Sequence, residues 1–205
     1  MNEGRIIAVV GTIASGKSTL VRQFADRYGA EAFYEGESAD FPERIKENLR
    51  LKTNGLQTEL YFFSQTVIQY AQAERLRMEG KTAVLDTYWK TNDFYLDAVV
   101  PDPFDRELFR RFMASVAERF RAPDVTIFLD PPDTVIAERI KRRGRAFEMD
   151  ALPTAREVAR AHRHHYAQEA SRGAAPLLIV RDGSCDLEAL AAALHLEPAL
   201  PAAAA

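Results

Sequence analysis

The sequence predicts an α/β domain: five parallel strands with helices on both faces of the sheet. Two observations carry this. Short apolar runs rich in β-branched residues alternate with longer amphipathic segments, which is the rhythm of strands joined by helical crossovers. The runs are also almost continuously apolar, as strands buried on both faces are.

In order, the runs are Arg5–Val10, Ala32–Tyr34, Thr82–Leu85, Val125–Leu129 and Leu177–Val180. After the first, Leu20, Val21, Phe24 and Tyr28 recur at helical spacing, and Gly29 stands where a left-handed C-terminal cap belongs. Leu60 to Met78 reads as one long helix stopped by Gly80. Asp102-Pro103 predicts a capped helix start, followed by a phenylalanine-rich helix (Phe104, Leu108, Phe109, Phe112, Met113, Val116, Phe120) that ends before Pro123. A further helix begins after Pro131-Pro132 with Asp133 as its cap and runs into the basic stretch Lys141–Arg145. No internal repeat or linker interrupts the chain, so residues 1–197 form one domain and Pro198–Ala205 a low-complexity tail.

Composition narrows the class. In 205 residues, 47% hydrophobic and 28% charged, the net charge of −3 favours neither nucleic acid nor an anionic membrane as partner. The single cysteine, Cys185, excludes an internal disulfide and a zinc–thiolate cluster, and suits a reducing cytoplasm. No apolar run is long enough for a membrane helix, and the N-terminus carries no apolar signal segment.

Gly11-Thr-Ile-Ala-Ser-Gly-Lys-Ser18 fits G-x-x-x-x-G-K-[S/T] without a mismatch, after a predicted strand and before a predicted helix. That context makes it a phosphate loop and places the fold among P-loop NTPases. Glycines let backbone N–H groups curl around phosphate oxygens, and the helix N-terminus adds partial positive charge. The residues expected to hold ATP are Gly11, Thr12, Ala14, Ser15, Gly16, Lys17, Ser18 and Thr19, with Lys17 on the β- and γ-phosphates and Ser18 on Mg²⁺.

Two acids follow strands: Asp86 ends the third run and Glu35 follows the second. Ligands of open parallel sheets bind outside the C-terminal strand ends. A carboxylate there holds the magnesium shell or meets an acceptor hydroxyl, and one of them serves as general base. Arg139, Arg142, Arg143 and Arg145 cluster around Gly144. Of three readings (a solvated helix end, a nucleic-acid patch, a lid over the triphosphate), the acidic overall charge favours the lid.

Together these residues resemble the deoxynucleoside kinase family, which shares its fold with thymidylate kinases. The resemblance runs from about Arg5 to Ala170, weakening towards Leu190. It implies that Glu35, in Phe33-Tyr34-Glu35, deprotonates a 5′-hydroxyl. Gln65, in Phe63-Ser64-Gln65, reads the nucleobase. Asp86 partners magnesium or the hydroxyl, Arg139, Arg143 and Arg145 contact phosphates, and Glu148 reaches a sugar hydroxyl. Val180-Arg181-Asp182-Gly183 falls where the family holds the adenine of ATP. Related kinases are dimers, which implies a homodimer or a dimer with a paralogue.

Gln65 and Tyr34-Glu35-Gly36-Glu37 favour the nucleoside branch over thymidylate kinases. Three positions depart from the family. Thr87 replaces the arginine after the strand-three acid, which leaves Lys90 or a lid arginine to supply its charge. Gln72 replaces a base-contacting arginine seven residues after Gln65, and Asn92 or Asp93 stands near a base-contacting aspartate. The reaction implied is γ-phosphoryl transfer from ATP to a nucleoside 5′-hydroxyl. The rivals are a nucleoside monophosphate kinase and a nucleotide-binding subunit with little activity, the latter kept alive by Thr87.

Other signals have plainer readings. His162, His164 and His165 share one predicted helix without acidic or sulfur ligands at matching spacing, so an exposed or capping role is expected rather than a metal site. Tyr88 and Trp89 either stack on a base or pack under the lid, and the phenylalanine-rich helix belongs to the core or to a dimer interface.

Overall fold

A computed structural model describes residues 4–36, 41–144, 148, 151–172, 177–181 and 186–193. Glu37, Arg145, Ala146, Phe147, Asp182, Gly183, Cys185 and the tail from Pro198 lie outside the described residues.

The predicted runs form five strands: β1 (Ile6–Val10), β2 (Glu31–Phe33), β3 (Ala83–Asp86), β4 (Val125–Leu129) and β5 (Leu177–Val180). They make one sheet in the order β2-β3-β1-β4-β5, and every pairing is parallel. The central strands β1, β3 and β4 are buried throughout because helices cover both faces. Alternate residues of β1 serve different cores: Ile6, Ala8 and Val10 pack with Phe63, Tyr70, Leu96 and Phe109, whereas Ile7 and Val9 pack with Leu20, Val21 and Phe24. That two-sided burial is why the runs read as continuously apolar.

The helices are α1 (Lys17–Tyr28), α2 (Glu43–Leu51), α3 (Gly55–Met78), α4 (Asn92–Val99), α5 (Pro103–Ala117), α6 (Asp133–Arg143), α7 (Leu152–Arg172) and α8 (Leu187–Ala193). Gly29 caps α1 at φ 64°, as predicted. Asp102 caps α5 by accepting from the Phe104 N–H at 2.7 Å, with Pro103 in the first turn. In α6 the cap falls one residue earlier, on Pro132, which leaves Asp133 in the first turn where its charge favours the helix dipole. The long helix α3 begins at Gly55, before the predicted start at Leu60.

His162 departs from the expected exposed role, since its ring is completely buried in α7. It lies 4.3 Å from the Phe94 ring and stacks on Phe128, with Nδ1 2.8 Å from the Val158 carbonyl oxygen. His164 is exposed, as expected. Burial pushes the His162 pKa down to about 3, against the pull of its backbone hydrogen bond. A depressed pKa means the unfolded chain binds the proton more readily. The neutral ring therefore contributes stability above pH 6.5 that is lost as pH falls from there towards 3. Thermal melts between pH 7 and 4 are expected to show a larger loss for the wild type than for His162→Gln. Parallel curves would mean that His162 titrates like an exposed histidine.

Candidate active site

Residues 11–16 join β1 to α1 in a backbone that needs glycine. Gly16 lies at φ 111°, and a Cβ on Gly11 would stand 2.6 Å from the Leu129 carbonyl oxygen. The loop opens onto a cavity of about 1000 Å³, lined at this end by Ala14, Ser15, Gly16, Lys17 and Ser18. Gly11 and Thr12 are buried behind it, and the Thr12 hydroxyl donates to the Ala155 carbonyl at 3.0 Å, tying the loop to α7. Thr19 is exposed and outside the cavity. Arg139 does not line it either. Its guanidinium donates to the carbonyls of Ser15 at 2.6 Å and Ala14 at 3.3 Å, so it braces the loop from α6.

Lys17 Nζ donates to the Thr12 carbonyl at 3.3 Å and lies 4.0 Å from Asp86 Oδ1. The Ser18 hydroxyl donates to Asp86 Oδ2. Asp86 is only 4% exposed at the end of β3, and its Oδ1 is buried without a hydrogen-bond partner. Arg143 and Glu148 line the same cavity, 3.9 Å apart. The sheet ends, the P-loop and the Arg143 end of α6 thus bring five predicted residues, Lys17, Ser18, Asp86, Arg143 and Glu148, to one space.

Glu35 joins them on the cavity wall just beyond β2. Desolvation raises its carboxyl from 4.5 to about 7, Lys17 pulls it down, and Asp86 pushes it up. A group poised near neutrality gives and takes protons efficiently at physiological pH.

The far end of the cavity differs from expectation. Gln65 does not line it; Thr58, Glu59 and Phe62 of α3 do, with Asn92 and Tyr95 of α4. At about 100° per residue, Gln65 stands roughly 120° round the helix from Glu59. Gln72 is exposed. Seven residues after Glu59, Thr66 returns to the same side, and its hydroxyl donates to Asn92 Oδ1 at 3.4 Å while Asn92 Nδ2 donates to Glu59 Oε2 at 3.3 Å. The polar pair on this face therefore begins six residues earlier than the motif Phe63-Ser64-Gln65 implied. The available signal was an acid, Glu59, with a polar residue seven positions on. The motif at Gln65 masked it.

Of the two candidates beside it, Asn92 faces the cavity, whereas Asp93 pairs with Arg110 at 2.9 Å. Helix α2, which sequence reasoning did not find, brings Asn48 and Leu49 to the wall with Lys52 just beyond it, and Phe41 packs edge-on against Phe62. Tyr88 and Trp89 pack in the core with Tyr70 and do not line the cavity, so they sit neither against a base nor under the lid helix. Thr87 is buried at φ 84° with its hydroxyl 2.5 Å from that of Thr91. Lys90 lies 3.9 Å from Glu169 and not on the cavity, so the positive wall charge comes from Lys17, Arg22, Lys52 and Arg143.

With the P-loop and the acids Glu35 and Asp86 on one cavity, the sequence also matches a family model described as deoxynucleoside kinase over residues 7–189. The chain belongs to the deoxynucleoside kinase family. With the family comes the reaction class, ATP-type phosphoryl transfer to a nucleoside. This kinase is 28% identical over 152 residues to the deoxyadenosine kinase of Lactobacillus acidophilus, covering 70% of this chain and 69% of that one. It is 23% identical over 172 residues to the bovine mitochondrial NADH dehydrogenase 1 alpha subcomplex subunit 10, covering 72% of this chain and 50% of that one. A solved structure of deoxyadenosine kinase from M. mycoides shares the fold of this kinase, with a TM-score of 0.75 at 20% identity over 93% of this chain and 96% of that one. Among the described residues no helix is long and apolar enough to cross a membrane, and no cluster of three metal-ligating side chains exists.

Proposed function

We propose that this kinase transfers the γ-phosphoryl group of ATP to the 5′-hydroxyl of a deoxynucleoside, with Glu35 as the general base. The observation that carries the reading is the Glu35 carboxyl, raised to about 7, on the wall of the cavity into which the P-loop opens. P-loop N–H groups and Lys17 bind the triphosphate, and Glu35 accepts the hydroxyl proton as the acceptor attacks. Arg143, with Arg145 two positions on in the sequence, neutralises charge on the transferring group, and Glu148 holds a sugar hydroxyl. Arg139 acts through the P-loop carbonyls it braces.

The residues also suit magnesium. A buried carboxylate oxygen of Asp86 without a hydrogen-bond partner, beside the Ser18 hydroxyl, is a hard oxygen donor set. Ser18 and Asp86 would hold Mg²⁺, which supplies charge neutralisation at the phosphate oxygens. A cytoplasmic setting fits the lone Cys185.

ADP release with ATP–Mg²⁺ against a panel of nucleosides and their 5′-monophosphates tests the reading. Turnover with a nucleoside supports it. Turnover with a monophosphate alone would move the kinase to the thymidylate type. ATP binding with silence across the panel would favour a nucleotide-binding subunit, a reading that the relatives among NADH dehydrogenase subunits and the buried Thr87 keep in view.

Apolar side chains left exposed on two helices, Leu60 and Ile68 of α3 with Phe104, Leu108 and Phe112 of α5, support a homodimer. Sedimentation at micromolar concentration is expected to give twice the chain mass, and Phe104→Asp with Leu108→Asp to return it to that of a single chain.

A further inference from the structure

A second cavity, of about 520 Å³, shares no lining residue with the P-loop cavity. It lies between α5 and α7, floored by Thr126 of β4 and Leu177 of β5. Helix α4, with the short turn Trp89–Thr91 that leads into it, separates the two spaces. Asp93 stands on the second cavity, whereas Asn92, Tyr95 and Asp97 of the same helix stand on the first. Met113, Ala114 and Ala117 line it from a different face of α5 than the exposed Phe104, Leu108 and Phe112.

The wall of this cavity defines what it would hold. Trp89 is 8% exposed, and its indole Nε1 is buried without a hydrogen-bond partner among the described residues. An indole N–H only donates, and a buried donor left unmade is costly, so the wall asks for an acceptor. His165 Nε2, on the same wall, is also buried without a hydrogen bond, 4.0 Å from Glu169 Oε1. The charges are balanced locally: Lys90 lies 3.9 Å from Glu169, and Arg110 lies 2.9 Å from Asp93. Each of these cations faces an acid of the same wall, and a charged ligand would have to compete with those pairs. Rings of Tyr88, Trp89, Phe120 and Tyr166, with Met113, supply the rest, and such surfaces suit a flat aromatic body. We propose that the cavity is a second ligand site, which takes an uncharged aromatic molecule of bicyclic size whose hydrogen-bond acceptor meets the Trp89 N–H. The inference is independent of the nucleoside kinase reading, since it uses no residue of the P-loop cavity.

Trp89 is the single tryptophan of the chain, so a ¹H–¹⁵N spectrum holds one indole cross-peak, which reports on this N–H alone. Three probes on one naphthalene skeleton separate the requirements. 2-Acetylnaphthalene is uncharged and carries an acceptor, 2-isopropenylnaphthalene has the same shape without one, and 2-naphthoate adds a charge. The ketone is expected to move the indole proton downfield in a saturable titration. The alkene is expected to bind about tenfold more weakly, the worth of one hydrogen bond to a buried donor, and the naphthoate to bind more weakly than the ketone as well. In Trp89→Phe, calorimetry should find the ketone reduced to the affinity of the alkene. Ala117→Phe, which fills the cavity from α5, should abolish ketone binding while the remaining amide cross-peaks keep their dispersion. An indole peak that the ketone leaves unmoved, equal affinities for ketone and alkene, or tighter binding of naphthoate would each overturn the assignment. So would ketone binding that survives unchanged in both variants. If Ala117→Phe does not fold, the indole titration and Trp89→Phe decide the matter without it.

Discussion

Glu35→Gln is expected to lower kcat by about 10²–10⁴-fold while leaving ATP binding unchanged, since a general base contributes on that scale and the amide keeps the shape of the acid. The wild-type profile gives an independent check. Only ionised Glu35 accepts a proton, so kcat/KM should rise about tenfold per unit as pH increases to about 7, then level off. Stability should move in the opposite direction. The folded chain holds the Glu35 proton more tightly than the unfolded chain, whose carboxyl titrates near 4.5. Stability present below pH 4.5 is therefore lost as pH rises through about 7. Glu35→Gln escapes that loss and should melt at a higher temperature than the wild type at about pH 8, despite being inactive. Activity lost together with stability would mark Glu35 as a structural group, and retained turnover would remove it from the chemistry.

This opposition of activity and stability has a structural origin. Glu35 carries a charge into the half-buried wall of the cavity, where desolvation disfavours it, Lys17 offsets part of the cost and Asp86 adds to it. The same enclosure that destabilises the carboxylate raises its basicity to the level the reaction needs.

What could be read from the sequence depended on how local each signal was. The β1 run, the P-loop and the Gly29 cap are contiguous, and their chemistry is written in neighbouring residues, so strand, loop and helix emerged together. Asp86 was also legible, because a carboxylate ending a buried strand has few places to go in a parallel sheet, and Glu35 was legible by its place just after the neighbouring strand. The cavity-facing side of α3 was not. A long helix half covered by core and half by the exposed Leu60–Ile68 face offers several polar residues, and only the placement of α4 decides which meets the cavity. Gln65 does not line the cavity, and Glu59, which does, carries no motif that singles it out. His162 failed for a related reason: helical spacing places it, but only Phe94 and Phe128, distant in sequence, show that it is enclosed. Helix α2 carries few apolar residues and was passed over. Its buried Asn48, bonded to Gln57 and Asn54, is a tertiary contact that periodicity does not announce.

Lys17→Ala is expected to reduce kcat by about 10³-fold or more, because the ammonium is the preorganised positive charge nearest the β- and γ-phosphates and its loss is felt most in the transition state. Lys17→Arg should not restore activity, since a planar guanidinium does not fit where a compact ammonium bonds the Thr12 carbonyl at 3.3 Å. A defect in folding alone would produce the same loss, so the residual rate must be followed against pH. Lys17 is the cation that holds the Glu35 pKa down. Without it, Glu35 keeps its burial penalty and its repulsion from Asp86 but loses the opposing attraction. The rising limb of kcat/KM should therefore move to higher pH in Lys17→Ala, by an amount that added salt reduces only weakly because the pair is enclosed. A limb that stays near 7 would mean that Lys17 and Glu35 do not sense each other, and that the base and the phosphate-binding lysine do not share one site.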